Sequence, residues 1–182
     1  MEGAWKIKTG TLVSFAEQQF VDCDPYNYGC NGGWMNNAFR YAKEKDMAVT
    51  ADYPYTAREG TCRDSTVTTL TGVTGYVNVT PYSPSALEAA VRDVGPISVA
   101  VEAYNSAFMY YSSGIITRGC RTRLDHAITL VGYGNDGKTQ YWIAKNSWST
   151  GWGDQGYVKI KKDTSDGYGV CGIQMAPSYP TM

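Results

Sequence analysis

Histidine is nearly missing from this sequence, with one in 182 residues, and its five cysteines include no C-x-x-C pair. The ligand set of a structural zinc site is therefore not on offer, and no residue pattern asks for a metal or another cofactor. Charge is also scarce. Only 18% of residues are Asp, Glu, Lys or Arg, and 16 basic side chains stand against 17 acidic ones, a net charge of −1. That balance supplies no broad basic field, so nucleic acid is not an expected partner. Long hydrophobic runs are absent as well. Stretches such as Ile97–Val101 and Ala127–Val131 fall far short of the ~20 apolar residues that span a bilayer. A membrane is not an expected partner either. The opening MEGAWKIKTG has neither the apolar core nor the cleavage pattern of a signal peptide. No G-x-S-x-G elbow, P-loop or H-E-x-x-H occurs, which leaves serine hydrolase, nucleotide and zinc-peptidase chemistry without support.

Glycine (20) and tyrosine (15) are plentiful. A chain of this length buries roughly 70% of the surface it would expose unfolded, enough for one domain or two small ones sharing a core. Cysteines without metal spacing read as a disulfide framework from an oxidising compartment, here with one thiol left over. An oxidised framework, no export signal and an odd thiol together are expected of a fragment or a processed chain. The first half reads as helices joined by loops. A helix end over Glu2–Lys8 stops near Thr9-Gly10, and Ser14-Phe-Ala-Glu17 has the spacing of a capping box opening a helix towards Cys23. Met35, Ala38, Phe39 and Ala42 share one face of a longer helix. Ser85-Ala-Leu-Glu88 is a second capping box, for a helix closed by Gly95-Pro96. The apolar period then changes to two. Ile97–Val101 reads as a strand, Ala127–Gly132 and Tyr141–Lys145 as a hairpin turning through Gly-Asn-Asp-Gly, and Tyr157–Lys161 as a strand with one solvated face. A helical half followed by an antiparallel sheet half is an α+β layout.

His126 leads into the first hairpin strand, directly after Asp125. A single histidine at a strand edge is more often a hydrogen-bonded core residue than a catalyst. Imidazole is nevertheless the side chain that takes and gives a proton near neutrality. Asn146 ends the partner strand, where its amide can either bond one ring nitrogen and fix the tautomer, or simply terminate the strand. Trp148 and Trp152 either shield that bond from water or serve as core aromatics.

Six blocks extend this reading to the whole chain: FAEQQFVDCD, GCNGGWMNNAF, YPYTAREGTC, LDHAITLVGYG, YWIAKNSWSTGWGDQGYVKI and GVCGIQMAPSYP. They resemble the signature blocks of papain-family cysteine peptidases, closest to the cathepsin L type, in the family's order and from Glu2 to Thr181. The resemblance implies a papain-like two-lobed fold within a single peptidase domain. A mainly helical lobe would cover 1–78, an antiparallel β-barrel-like lobe 79–171, and a C-terminal strand or tail 172–182. It implies a cysteine endopeptidase, in which a thiolate attacks the peptide carbonyl and an imidazolium protonates the leaving amine. His126 would be the acid/base, Asn146 its orienting partner and Trp148 the cover over both. Gly33 with Gly32 resembles the stretch that pairs with extended substrate. Trp34, Met35, Ala103, Leu124, Asp125 and Ala176 match positions around the pocket for the residue two before the scissile bond, an apolar site suited to Leu, Phe or Val. The pairing implied is Cys23–Cys62 and Cys120–Cys171, with Cys30 unpaired. Implied partners are peptide or protein substrates and propeptide or cystatin-like inhibitors of a monomeric enzyme. The implied setting is lysosomal, vacuolar or extracellular.

One departure from the family pattern bears on activity. The family's nucleophile lies in a C-G-[SA]-C-[WY] block about 130 residues before the histidine, and no such block occurs in the sequence. The expectation is a domain incomplete at its N-terminus, lacking the nucleophile and inactive as it stands. A non-catalytic homologue that binds peptides or partners is the alternative. Cys30, just before the helix expected from Asn31 onwards, is the candidate for a substitute nucleophile, since a helix N-terminus stabilises a thiolate. Asn78-Val-Thr80 is a glycosylation sequon followed by Pro81.

Overall fold

A computed structural model describes residues 1–70, 72–165 and 167–182. The chain divides into two compact units, one comprising Met1–Val77 with Pro180–Met182 and the other Asn78–Tyr179.

In the first unit, α1 (Glu2–Thr9) ends where Gly10 turns left-handed at φ 77° and returns its N–H to the Lys6 carbonyl. That conformation carries no steric cost for glycine. The helix α2 (Glu17–Cys23) starts later than the expected capping box, with Ala16 before it and no side-chain cap. The reason is a competing pairing. Ser14 to Ala16 run extended beside Ala48 to Thr50, joined by the Ala16 N–H to the Ala48 carbonyl and the Thr50 N–H to the Ser14 carbonyl. The amphipathic α3 (Met35–Glu44) buries Phe39, Tyr41 and Ala42. Two short strands, β1 (Met47–Ala48) and β2 (Thr69–Leu70), pair antiparallel, and β3 (Gly75–Asn78) follows at the end of the unit's first stretch, Met1–Val77. Apolar packing here is modest. One cluster gathers Phe15, Tyr41, Ala42, Met47 and Val73, and a second only Ala16, Ala48 and Tyr53. The Cys23–Cys62 disulfide and buried Gln18 and Gln19 supply the rest.

In the second unit, α4 (Pro84–Asp93) is capped by Ser83, whose hydroxyl accepts from the Ala86 N–H at 3.4 Å, with Pro84 in the first turn. This moves the cap two residues before the expected Ser85, because proline is pre-set for the first helical position. The strand β4 (Ile97–Val101) is followed by a single turn, α5 (Ser106–Met109), and then β5 (His126–Asn135), β6 (Gln140–Lys145), β7 (Tyr157–Lys161) and β8 (Ser178–Thr181). Inside the unit the strands pair in the order β4-β5-β6-β7, and Ser178 of β8 pairs with Ser98 of β4. Among the described residues this antiparallel sheet is open and forms no closed barrel. Beyond β6, β7 takes part in isolated bridges from Ile116 to Ile160 and from Asp154 to Tyr157, with no further strand beside it among the described residues. The hairpin is longer than its apolar run, since β5 continues through Gly134 and Asn135 before turning at Asp136, whose carboxylate accepts from the Lys138 and Thr139 N–H groups. Leu87, Ile97, Val99, Phe108, Leu130, Trp142, Val158 and Ile160 build one continuous core, and Cys120–Cys171 bridges its edge.

Candidate active site

Register places the candidate pair. His126 opens β5 opposite Val101 of β4, and Thr129 pairs with Lys145, the last residue of β6. Asn146 therefore leaves β6 beside the first residues of β5. Side chains at 126, 128 and 130 share a strand face by the two-residue period, and Ile128 and Leu130 are buried on it. His126 is thus held at the rim of the apolar core. Its Nε2 lies 2.7 Å from Asn146 Oδ1. The same oxygen accepts the Ser147 N–H at 2.8 Å, and the Asn146 N–H donates to the Gly156 carbonyl. An oxygen already accepting a backbone N–H, in a side chain only 7% exposed, has little freedom to turn over. An amide oxygen only accepts, so the Nε2 atom must carry the proton of this bond. Nδ1 is then the open nitrogen, with no hydrogen-bond partner among the described residues.

Aromatic side chains close over the bond. The Trp148 ring lies 4.9 Å from the imidazole at 32°, while Phe108 meets both His126 and Trp148 edge-on at 6.1 and 5.6 Å. Trp152 packs on Phe108 at 5.1 Å and donates its indole N–H to the Met109 carbonyl. Burial beneath these rings strengthens a hydrogen bond by excluding water. A cleft of about 460 Å³ opens beside His126 and Trp148, walled by Ala103, Tyr104 and Met109 and by Arg123 and Asp125. The Asp125 carboxylate is engaged, accepting the Ala103 N–H at 2.7 Å and the Tyr104 N–H at 3.4 Å. It ties the start of the 103–109 segment to the strand bearing His126.

The structure gathers His126, Asn146, Trp148, Ala103 and Asp125, and adds Phe108, Tyr104, Met109 and Arg123. Sequence reasoning missed these four; Arg123 lies only three residues before His126, whereas Tyr104, Phe108 and Met109 come from a segment about twenty residues earlier. The readable signal was the Asn105 cap of α5, which turns Phe108 inward. Leu124 places its Cδ2 about 2.8 Å from where a Cβ on Gly172 would project, and Ala176 is half-buried. In the first unit, Gly32 has φ 94°, and a Cβ at Gly33 would meet the Asn27 amide at 2.3 Å. That amide accepts the Trp34 N–H at 2.8 Å, so Gly33 permits the approach that shapes the turn before Met35. Trp34 itself is 49% exposed.

The cysteines sort cleanly. Cys23 is bridged to Cys62 and Cys120 to Cys171, and Cys30 is free and exposed. Cys30 does not stand at a helix start as expected: α3 begins at Met35, and Cys30 lies within the three-residue turn Gly29–Asn31. Its N–H donates to the Glu59 carboxylate at 2.9 Å. Cys23, Cys62 and Asp64 come within 4.8 Å of one another, but both sulfurs are spent on their bridge. No helix among the described residues is long and apolar enough to cross a membrane.

Comparison with known proteins agrees across the chain. Residues 1–181 match the model of the papain family cysteine proteases. The chain is 46% identical to digestive cysteine proteinase 2 of Homarus americanus, covering 99% of this chain and 56% of that protein. It is 47% identical to vignain of Vigna mungo, covering 99% and 51%. The chain thus spans about half the length of the curated relatives it matches. Among solved structures, the bromelain protease of Ananas comosus, in complex with the E64 inhibitor, superposes with a TM-score of 0.93 at 43% identity, covering all of this chain and 84% of that one. With a family match over nearly every residue and a shared papain-like fold, the chain belongs to the papain family of cysteine proteases.

Proposed function

We propose that these residues carry the acid/base half of a cysteine endopeptidase site. The observation that supports this is the 2.7 Å contact from His126 Nε2 to Asn146 Oδ1. With the proton of the neutral ring on Nε2, Nδ1 is free to take a proton from a thiol and hand it to a leaving amine. Asn146 is the positioning residue and Trp148 the shield; Ala103 and Asp125, which wall the cleft beside the imidazole, are proposed contacts for the leaving-group half rather than for the residue two before the scissile bond, and Leu124 and Ala176, and separately Gly32, Gly33, Trp34 and Met35, are the other proposed substrate contacts. The thiolate is not among the five cysteines: four are bridged, and Cys30 lies in the Gly29–Asn31 turn rather than at the start of α3. This reading puts the nucleophile outside the 182 residues, in a C-G-[SA]-C-[WY] block. Peptides and proteins are the proposed substrates, peptide-like inhibitors the proposed competitors, and a lysosomal, vacuolar or secreted setting fits two disulfides.

The test compares peptide hydrolysis by the 182-residue chain with that by a longer product of the same gene bearing such a block. The longer product should hydrolyse peptides, lose that activity to a thiol-reactive epoxide, and lose it again in His126→Ala, while the 182 residues alone stay inactive. Epoxide-sensitive hydrolysis by the 182 residues that disappears in Cys30→Ser would instead make Cys30 the nucleophile. Peptide binding without hydrolysis by either product would mark a non-catalytic homologue.

A further inference from the structure

We propose that Arg123 makes the cleft beside His126 select an acidic side chain, glutamate above all, in the leaving-group half of the substrate. The inference rests on reading His126 as the acid that protonates the leaving amine. Such an acid must come within hydrogen-bond reach of that nitrogen. The residue carrying the nitrogen therefore lies against the imidazole and the Trp148 ring stacked on it, at the mouth of this cleft.

The charges around the cleft are unevenly committed. Its neighbouring carboxylates are turned onto backbone: Asp125 accepts from Ala103 and Tyr104, and Glu102 accepts the Arg121 N–H. The guanidiniums of the same loop, on Arg118, Arg121 and Arg123, are exposed and make no side-chain hydrogen bond or ion pair among the described residues. Of these three, only Arg123 lines the cleft. A guanidinium offers five donors in a fork that matches a carboxylate. Beside it stand apolar surfaces, with Met109 38% and Trp148 37% exposed, and the open ring of Tyr104. Glutamate suits both. Its methylenes pack on Met109 and Trp148 while its carboxylate reaches Arg123; glutamine loses the charge, and lysine brings a like charge to the guanidinium.

Exposed ion pairs are worth little, so the selection is a matter of a few-fold: about threefold for Glu over Gln and about tenfold for Glu over Lys. The experiment measures fluorescence anisotropy of labelled peptides with a free amino end, identical except for Glu, Gln or Lys first, on the 182-residue chain. Cleavage of the matching longer peptides by the longer gene product is followed in parallel. Glu should bind and react best, Arg123→Glu should reverse the order, and Arg118→Glu, outside the cleft, should leave it in place. Equal binding of the three peptides overturns the proposal, as does a reversal by Arg118→Glu as large as that by Arg123→Glu. If the binding order holds but nothing is cleaved, the proteolytic reading fails and the cleft assignment stands. Cleavage indifferent to the Glu-to-Lys exchange removes the cleft assignment alone.

Discussion

Gln19 in the first unit and Leu130 in the second are both completely buried, and they hold their surroundings together by opposite means. Gln19 donates to the Tyr41 hydroxyl at 3.1 Å and the Asp46 carbonyl at 2.9 Å, and accepts the Ala48 N–H at 2.7 Å. Nearby, Gln18 donates to Asp22 and the Arg58 carbonyl and accepts the Thr56 N–H. Polar side chains thus pin loop segments and the end of a two-residue strand, where regular structure is short. Leu130 makes no such bonds; it is one of many hydrocarbon side chains between strands whose backbones already satisfy one another. Loops fastened by amides depend on each fastening, whereas a sheet spreads its cohesion across the core. The proposed acid/base pair sits on the sheet. A pair that must hold one nitrogen aimed at a reacting atom gains from that shared rigidity.

Four variants would break or sharpen the contrast. Leu130→Ala should cost about 4 kcal/mol, the cavity term added to lost transfer energy, and hydrogen exchange should rise across β4 to β6 together. A rise confined to β5 would show the core to be less shared than described. Replacing Cys23 and Cys62 by serine opens a loop of 39 residues and should cost about 3 kcal/mol in a denaturant melt, with the second unit's exchange unchanged. Gln19→Ala should cost about 2 kcal/mol, because the Ala48 N–H and Asp46 carbonyl lose their partner. A loss no larger than that of a surface substitution would make the amide incidental.

The smallest effect is a pH dependence centred on Asp22. Burial pushes its carboxyl up, but hydrogen bonds from Tyr53, Gln18 and the Gly60 N–H, together with the charge of Arg63, outweigh this and hold it below the ordinary aspartate range. A lowered folded value means the stabilisation is present above the unfolded value and is lost as pH falls through the folded one. Stability of the first unit should therefore decline in acid below the usual aspartate range, and Asp22→Asn should flatten that limb of the pH curve. An unchanged acid limb in the variant would assign the decline to other carboxylates.

Much of the fold was legible because its signals are local. The two-residue apolar period at 97–101 and 157–161 needs no knowledge of the rest of the chain, and Gly10 stops α1 by its own conformation. Helix starts were less legible. Ser14 and Ser85 have capping-box spacing, yet one lies in an extended pairing with Thr50 and the other yields to Ser83-Pro84. Tertiary pairing and proline geometry decided both. Barrel closure was unreadable, since it depends on what the outer strand meets. In the site, His126 and Asn146 could be read as neighbours because a hairpin fixes which strand ends meet. Phe108 and Tyr104 could not, since they reach the cleft through a turn after β4 with no fixed register to β5.

The central claim is that Asn146 holds the one imidazole of the chain with its proton on Nε2 and its Nδ1 open. Because His126 is the only histidine, a ¹⁵N-labelled sample gives a single pair of ring nitrogen signals with no assignment ambiguity. Recorded at a pH where the ring is neutral, the spectrum should show the proton on Nε2, slow to exchange under Trp148, and Asn146→Ala should release it to a mixture of both tautomers. A proton on Nδ1, or the same tautomer mixture in the native chain and in Asn146→Ala, would contradict the account.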